Sequence, residues 1–136
     1  MSGAYGSTSG SQERESRSLM ESLMVFSLAV EIESLRSEGQ WADNDKNSRT
    51  LAKDVDFRAL LSVMHSGATL DDQDGDARAS VQILEGRAEL DVAGEVTQLD
   101  TGQLAVIDSG RPWKLRAATD CALLMTLAWP IDKAGV

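Results

Sequence analysis

The stretch ASVQILEGRAELDVAGEVTQL, Ala79–Leu99, decides the fold. Its middle alternates cleanly, with Ala88, Leu90 and Val92 on one face and Arg87, Glu89 and Asp91 on the other. Successive strand residues point to opposite faces, so Arg87–Val92 reads as a strand with one side buried. Ala93-Gly94 is a turn, and Glu95–Leu99 returns as the hairpin partner. On the N-terminal side, Ala79–Leu84 is another strand, stopped by Gly86.

Working outward, Asp56–Ser66 (DFRALLSVMHS), Leu104–Ile107, Trp113–Ala117 and Cys121–Trp129 read as further strands. Asp-Ser-Gly-Arg-Pro and Ala-Thr-Asp separate the last three, and Pro130 ends the series by removing a ladder donor. About seven or eight short strands with regularly spaced turns define an all-β sandwich or jelly roll. The barrel is expected over residues 50–130, after a polar connection, QWADNDKNSRT, at residues 40–50.

An N-terminal α-helix is expected over residues 18–39. Ser18 and Glu21 match a capping box, in which each side chain bonds the other residue's backbone N–H. Leu23, Met24, Leu28, Ile32 and Leu35 recur at three- and four-residue steps and form one apolar stripe. Gly39 is a plausible stop. Such a helix covers the barrel, and Val25 and Phe26 widen the stripe enough to suggest a dimer contact as well. Residues 1–17, rich in Ser and Gly, are expected to be a disordered tail, and residues 131–136 a short C-terminal tail.

Composition narrows the function classes. A formal net charge of −9 opposes binding to nucleic acid or anionic lipid, both of which need a basic footprint. No apolar run is long enough to cross a bilayer or resembles a signal peptide, so a cytoplasmic location is expected. The single cysteine, Cys121, rules out an internal disulfide and reads as a small buried hydrophobe. Phosphate loops, dinucleotide turns, nucleophile elbows and zinc spacings are missing. Asp72, Asp74 and Asp76 superficially open a calcium loop, but Ala77 and Ile83 stand where glycine and a bidentate glutamate are needed.

Two glycine-anchored segments carry a family resemblance. GATLDDQDGDARASVQILEG, Gly67–Gly86, resembles the first cupin motif, with both glycines in register. GQLAVIDSGRPWKLRA, Gly102–Ala117, resembles the second, with Gly102 and Gly110 in place. The chain is thus similar to a small single-domain bacterial cupin, a double-stranded β-helix barrel with an N-terminal helix. Where that family carries two histidines and a glutamate, this chain has Gln73, Gly75 and Ala79; Asp108, Trp113 and Ala117 replace the second motif's proline, histidine and asparagine. All four metal ligands of the family are therefore replaced. An amide oxygen is a poor ligand, glycine and alanine offer no donor, and an indole cannot ligate. No metal and no other cofactor is expected.

The resemblance also implies which side chains face the interior: Gln73 and Gly75, then Ala79, Val81 and Ile83, then Trp113 and Leu115. Gln73, Val81, Ile83, Trp113 and Leu115 are the candidate lining of a small, mostly apolar pocket. That pocket is either filled by its own side chains or occupied by an organic molecule. His65, the only histidine, and Gln73 and Asp71 are the weak candidates for catalysis. Three functions follow: a metal-free sensor or carrier of a small apolar organic ligand; a metal-independent isomerase, cyclase or dehydratase of a biosynthetic pathway; or a structural module that dimerises and meets a protein partner. A homodimer is what the resemblance implies.

Overall fold

A computed structural model describes residues 22–71 and 75–130 of the 136-residue chain. Two short helices, α1 (Leu28–Arg36) and α2 (Gly39–Asp43), precede nine strands. The strands are β1 (Lys46–Lys53), β2 (Phe57–Met64), β3 (Thr69–Asp71), β4 (Arg78–Glu85), β5 (Arg87–Val92), β6 (Glu95–Asp100), β7 (Leu104–Ile107), β8 (Trp113–Ala117) and β9 (Cys121–Ala128). They form two antiparallel sheets, one of five strands in the order β1-β2-β9-β4-β7 and one of four in the order β3-β8-β5-β6. The all-β cupin jelly roll with a helical N-terminal segment is the fold observed.

Alternation sorts the apolar side chains into two layers, one between the sheets and one under the helices. Between the sheets lie Val81 and Ile83 of β4, Leu90 of β5, Leu115 of β8, and Leu123 and Met125 of β9, all buried. On the far side of the five-stranded sheet, Leu61 and Val63 of β2 and Ala122 of β9 meet Ile32 and Leu35 of α1. β2 and β9 thus carry buried apolar side chains on both faces, which is why DFRALLSVMHS and CALLMTLAW read as nearly continuous hydrophobic runs.

The helix is shorter than residues 18–39. It begins after Ser27, whose extended backbone makes it the N-cap, and ends at Ser37, which donates its N–H to Glu33 and Ser34. Short helices hold mainly through tertiary packing, and the sheet supplies a surface only for Leu28, Ile32 and Leu35. Residues 22–27 have no such surface, and Leu23 and Val25 stand exposed. The Ser18–Glu21 capping box, the 1–17 tail and the 131–136 tail lie outside the described residues. Gly39 does not end a helix; it opens α2.

The barrel starts earlier than residue 50, because β1 occupies Lys46–Lys53 within and beyond the expected polar connection. Its polarity has a structural cause. Asn47 and Arg49 face the helix and are satisfied there, Asn47 donating to the Leu35 carbonyl at 2.9 Å and Arg49 pairing with Glu31 at 2.7 Å. Ser48 and Thr50, on the other face, are exposed. An apolar alternation therefore never develops. The hairpin of β5 and β6 is as expected: Ala93 and Gly94 both have positive φ, 52° and 95°, and Val92 pairs directly with Glu95. That turn matches the right-handed twist of its strands.

Candidate functional site

The space between the sheets is closed at one end and looser at the other. Val81, Ile83 and Leu115, three expected lining residues, have no accessible surface, so no water-sized space touches them. Around them Cys121, Leu123, Ala88 and Ala117 are equally sealed. Nearer the loops that connect β3 to β4 and β7 to β8, the inward side chains open up. There Val92 and Leu127 pack on the core but are only half-buried, whereas Leu60, Leu70 and Ala105, equally half-buried, lie level with the sealed residues. Trp113 stands among this second group, facing inward opposite Val92, with 7% of its surface exposed. The loops at this end are tied together by Gly110, whose N–H donates to the Gly75 carbonyl at 2.6 Å.

The remaining candidates do not converge on that interior. Gln73 lies outside the described residues. Asp71 follows the inward-packed Leu70 and so points the other way, opposite Lys114 on the outer face of the four-stranded sheet. There it borders a shallow depression of about 370 Å³, together with Asp91, Ala93, Gly94, Pro112, Lys114 and part of Trp113. His65 shares the parity of Leu61 and Val63, the face covered by the helices. Its ring stacks on Trp41 and its Nε2 lies 3.0 Å from the Trp41 carbonyl oxygen. The Asp120 carboxylate is 3.9 Å from Nδ1. A full sheet thus separates the only imidazole from the barrel interior.

The fold implies a metal site, and the residues present do not fit one. Ala79, at a ligand position of the motif, is buried among Val81, Ile107 and Leu127, and offers only a methyl group. Trp113, at another, is an inward indole. Among the described residues no three His, Cys, Asp or Glu side chains are grouped to hold an ion. No step of any chemistry is built on a metal here.

One inward side chain escapes a reading of motifs. Arg58 pairs in register with Leu127, which pairs with Ala79, so all three share the interior face at the looser end. Its guanidinium carbon lies 5.4 Å from the centroid of the Trp129 ring. The signal was available in the sequence, since Arg58 and Leu60 share parity in DFRALLSVMHS, but one charge in an apolar strand carries no motif.

Two sheets, a sealed apolar interior and glycine-set turns define a small single-domain cupin. Residues 55–130 match the AraC-binding-like domain family, and the chain belongs to it. No curated protein sequence matches it significantly. Among solved structures, the chain is similar to the conserved SPY1581 protein of Streptococcus pyogenes, with 23% identity and a TM-score of 0.64 over 83% of this chain and 93% of that one. It is also similar to the cupin domain of an XRE family transcriptional regulator from Enterobacter cloacae, at 17% identity and a TM-score of 0.59, over 65% of this chain and 100% of that domain. Salicylate 1,2-dioxygenase from Pseudoaminobacter salicylatoxidans, solved with gentisate, gives 19% identity and a TM-score of 0.65, with 76% of this chain matching 32% of that one. These likenesses concern the fold.

Proposed function

We propose that this protein is a metal-independent cupin that binds a small, mostly apolar organic molecule at the looser end of its barrel, as a sensor or carrier. The observation that carries this reading is the gradient of burial along the interior. Val81, Ile83 and Leu115 are sealed, whereas Val92 and Leu127 at the looser end keep accessible apolar surface although they face inward. Apolar surface left partly wet inside a concave fold gains free energy when a ligand covers it, roughly 25 cal/mol for each Å² removed from water. Val81, Ile83 and Leu115 then close the barrel beyond the site, and Trp113 forms a wall. The test is a screen of small organic compounds read by tryptophan fluorescence and melting temperature. Saturable shifts support the reading. A library without any response, or stoichiometric zinc, iron or nickel in untagged protein, sinks it.

We propose further that the protein forms a homodimer. Leu23, Val25, Leu104 and Val106 are each at least 60% exposed, the last two on β7 at the free edge of the five-stranded sheet. Side chains of this size at a sheet edge invite a partner. Light scattering at micromolar concentration is the check, and a monomer there removes the proposal.

A further inference from the structure

Resting on that binding site, we infer that the ligand is a monocarboxylate, held by Arg58 with Lys53 beside it and its apolar body against the half-buried interior side chains. Lys53 and Arg58 are direct partners across β1 and β2, so both lie on the barrel's interior side at its looser end. Like charges placed directly opposite on antiparallel strands repel. The usual remedy is an acidic neighbour, and a chain with net charge −9 has many to offer. Among the described residues neither Lys53 nor Arg58 has an ion pair. Asp54, in the turn that joins the two strands, uses one carboxylate oxygen to accept the Val55 N–H at 2.7 Å.

Arg58 is also the site of a second anomaly. Its Nε is buried and has no hydrogen-bond partner, the one buried side-chain polar atom in that condition among the described residues. Buried donors are nearly always satisfied, and a charged one left unmet is disfavoured. The Trp129 face holds the guanidinium by a cation–π contact but accepts none of its in-plane N–H bonds. A carboxylate approaching in the guanidinium plane takes two parallel hydrogen bonds, one of them from Nε, and relieves the repulsion of Lys53. Its hydrocarbon portion then faces Leu60, Leu127 and Trp113. A monoanion suits the site better than a dianion, because two cations stand in a strongly acidic chain.

Matched pairs of compounds separate this inference from the reading beneath it. Hexanoate, benzoate and indole-3-acetate are titrated against hexanamide, benzamide and indole-3-acetamide, with phenyl phosphate as a dianion, by fluorescence and thermal shift. The expected result is at least one acid bound about tenfold or more tighter than its amide, and tighter than phenyl phosphate. Arg58→Met removes that preference, and Arg58→Lys restores part of it. Circular dichroism confirms folding of the variants, and Lys53→Met, at an exposed position, gives a second, smaller loss. Acids and amides binding equally overturns the carboxylate while the apolar-ligand reading stands. Tighter phenyl phosphate, or an unchanged preference in folded Arg58→Met, also overturns it. If no member of any pair binds, both readings fall.

Discussion

The His65 imidazole lies parallel to the Trp41 indole, with ring centroids 3.5 Å apart and planes inclined by 15°. The stack joins the end of β2 to α2, and the His65 backbone N–H donates to the Asp45 carbonyl at 2.9 Å, closing the same corner. Arg36 of α1 lies over the other part of this cluster, 5.6 Å from the Trp41 ring. The protein's only histidine therefore fastens the helical cover to the sheet. Aromatic pairs contribute about 0.5–1.5 kcal/mol beyond area burial. His65→Ala is expected to lower stability by roughly that amount in urea unfolding and to leave ligand affinity unchanged. A loss of binding with the fold intact would return His65 to the list of functional residues.

Gly86 and Gly94 both adopt positive φ, yet their substitution should differ sharply. Gly94 sits at an open hairpin tip, and an added Cβ there meets nothing within 4 Å. Gly86 links β4 to β5 under the turn that precedes β9, where a Cβ would fall within 2.8 Å of Thr119 Oγ1 and still closer to the Asp120 carbonyl oxygen. Backbone atoms cannot move aside cheaply. Gly94→Ala is expected to cost about 1 kcal/mol, mainly from the left-handed backbone. Gly86→Ala should cost about 3 kcal/mol or more, since overpacking adds to that strain. Equal midpoints for the two variants in guanidinium unfolding would refute the close approach.

Asn47 ties three elements together at the helix end. Its amide donates to the Leu35 carbonyl and to Glu38 Oε1, both at 2.9 Å, and its side chain is buried beneath α1. The Asn47 bond, foremost, and the Arg49 guanidinium hold the Glu38 carboxyl below the usual glutamate range, against a smaller opposing effect of desolvation. A lowered folded pKa stabilises above the unfolded value and is lost as pH falls through the folded one. Asn47→Ala should cost about 1–3 kcal/mol near neutrality by stranding the buried Leu35 carbonyl. The gap between wild type and variant should narrow as pH drops through the carboxylate range. Urea midpoints at about pH 7 and pH 3 test both halves, and a gap that widens in acid would contradict the assignment.

The parts of the fold legible in the sequence were those in which one apolar face met the core. β5, β7 and β8 have the bounds that the alternation and turn residues indicate, because each buries a single face and is flanked on one side by a turn residue, Gly86, Asp108 and Pro112 respectively. β1 was hidden because its helix-facing residues, Asn47 and Arg49, are polar and satisfied by hydrogen bonds rather than by burial of carbon. The three-residue β3 is too short to show a period. The helix was over-extended since Leu23 and Met24 continue the stripe of Leu28, Ile32 and Leu35, and periodicity does not say where the sheet beneath ends. Val81, Ile83, Trp113 and Leu115 face inward, as the family resemblance implies. Arg58 carries no motif in the sequence, because its meaning depends on Lys53 across the strand and on Trp129 far away in sequence.

Cys121 offers the last test, of how completely the interior is closed. It begins β9 opposite Met64, has no accessible surface, and is a free thiol. Burial pushes its pKa up to about 11, with the Arg36 charge opposing and the Asp120 charge adding to the rise. An ordinary unfolded thiol titrates near 9.0. Since the folded value is the higher, this thiol's contribution to stability is fully present below pH 9.0 and is lost as pH rises toward about 11. Wild type should therefore lose stability relative to Cys121→Ala across that window, read as the difference between their urea midpoints, and the difference should be flat from pH 6 to 8. The thiolate is the nucleophile, so native protein at about pH 8 should resist an aromatic disulfide reagent and react only after unfolding. Prompt labelling of the native protein would mean that the closed end of the barrel opens, and the seal assigned to Val81, Ile83 and Leu115 would not hold.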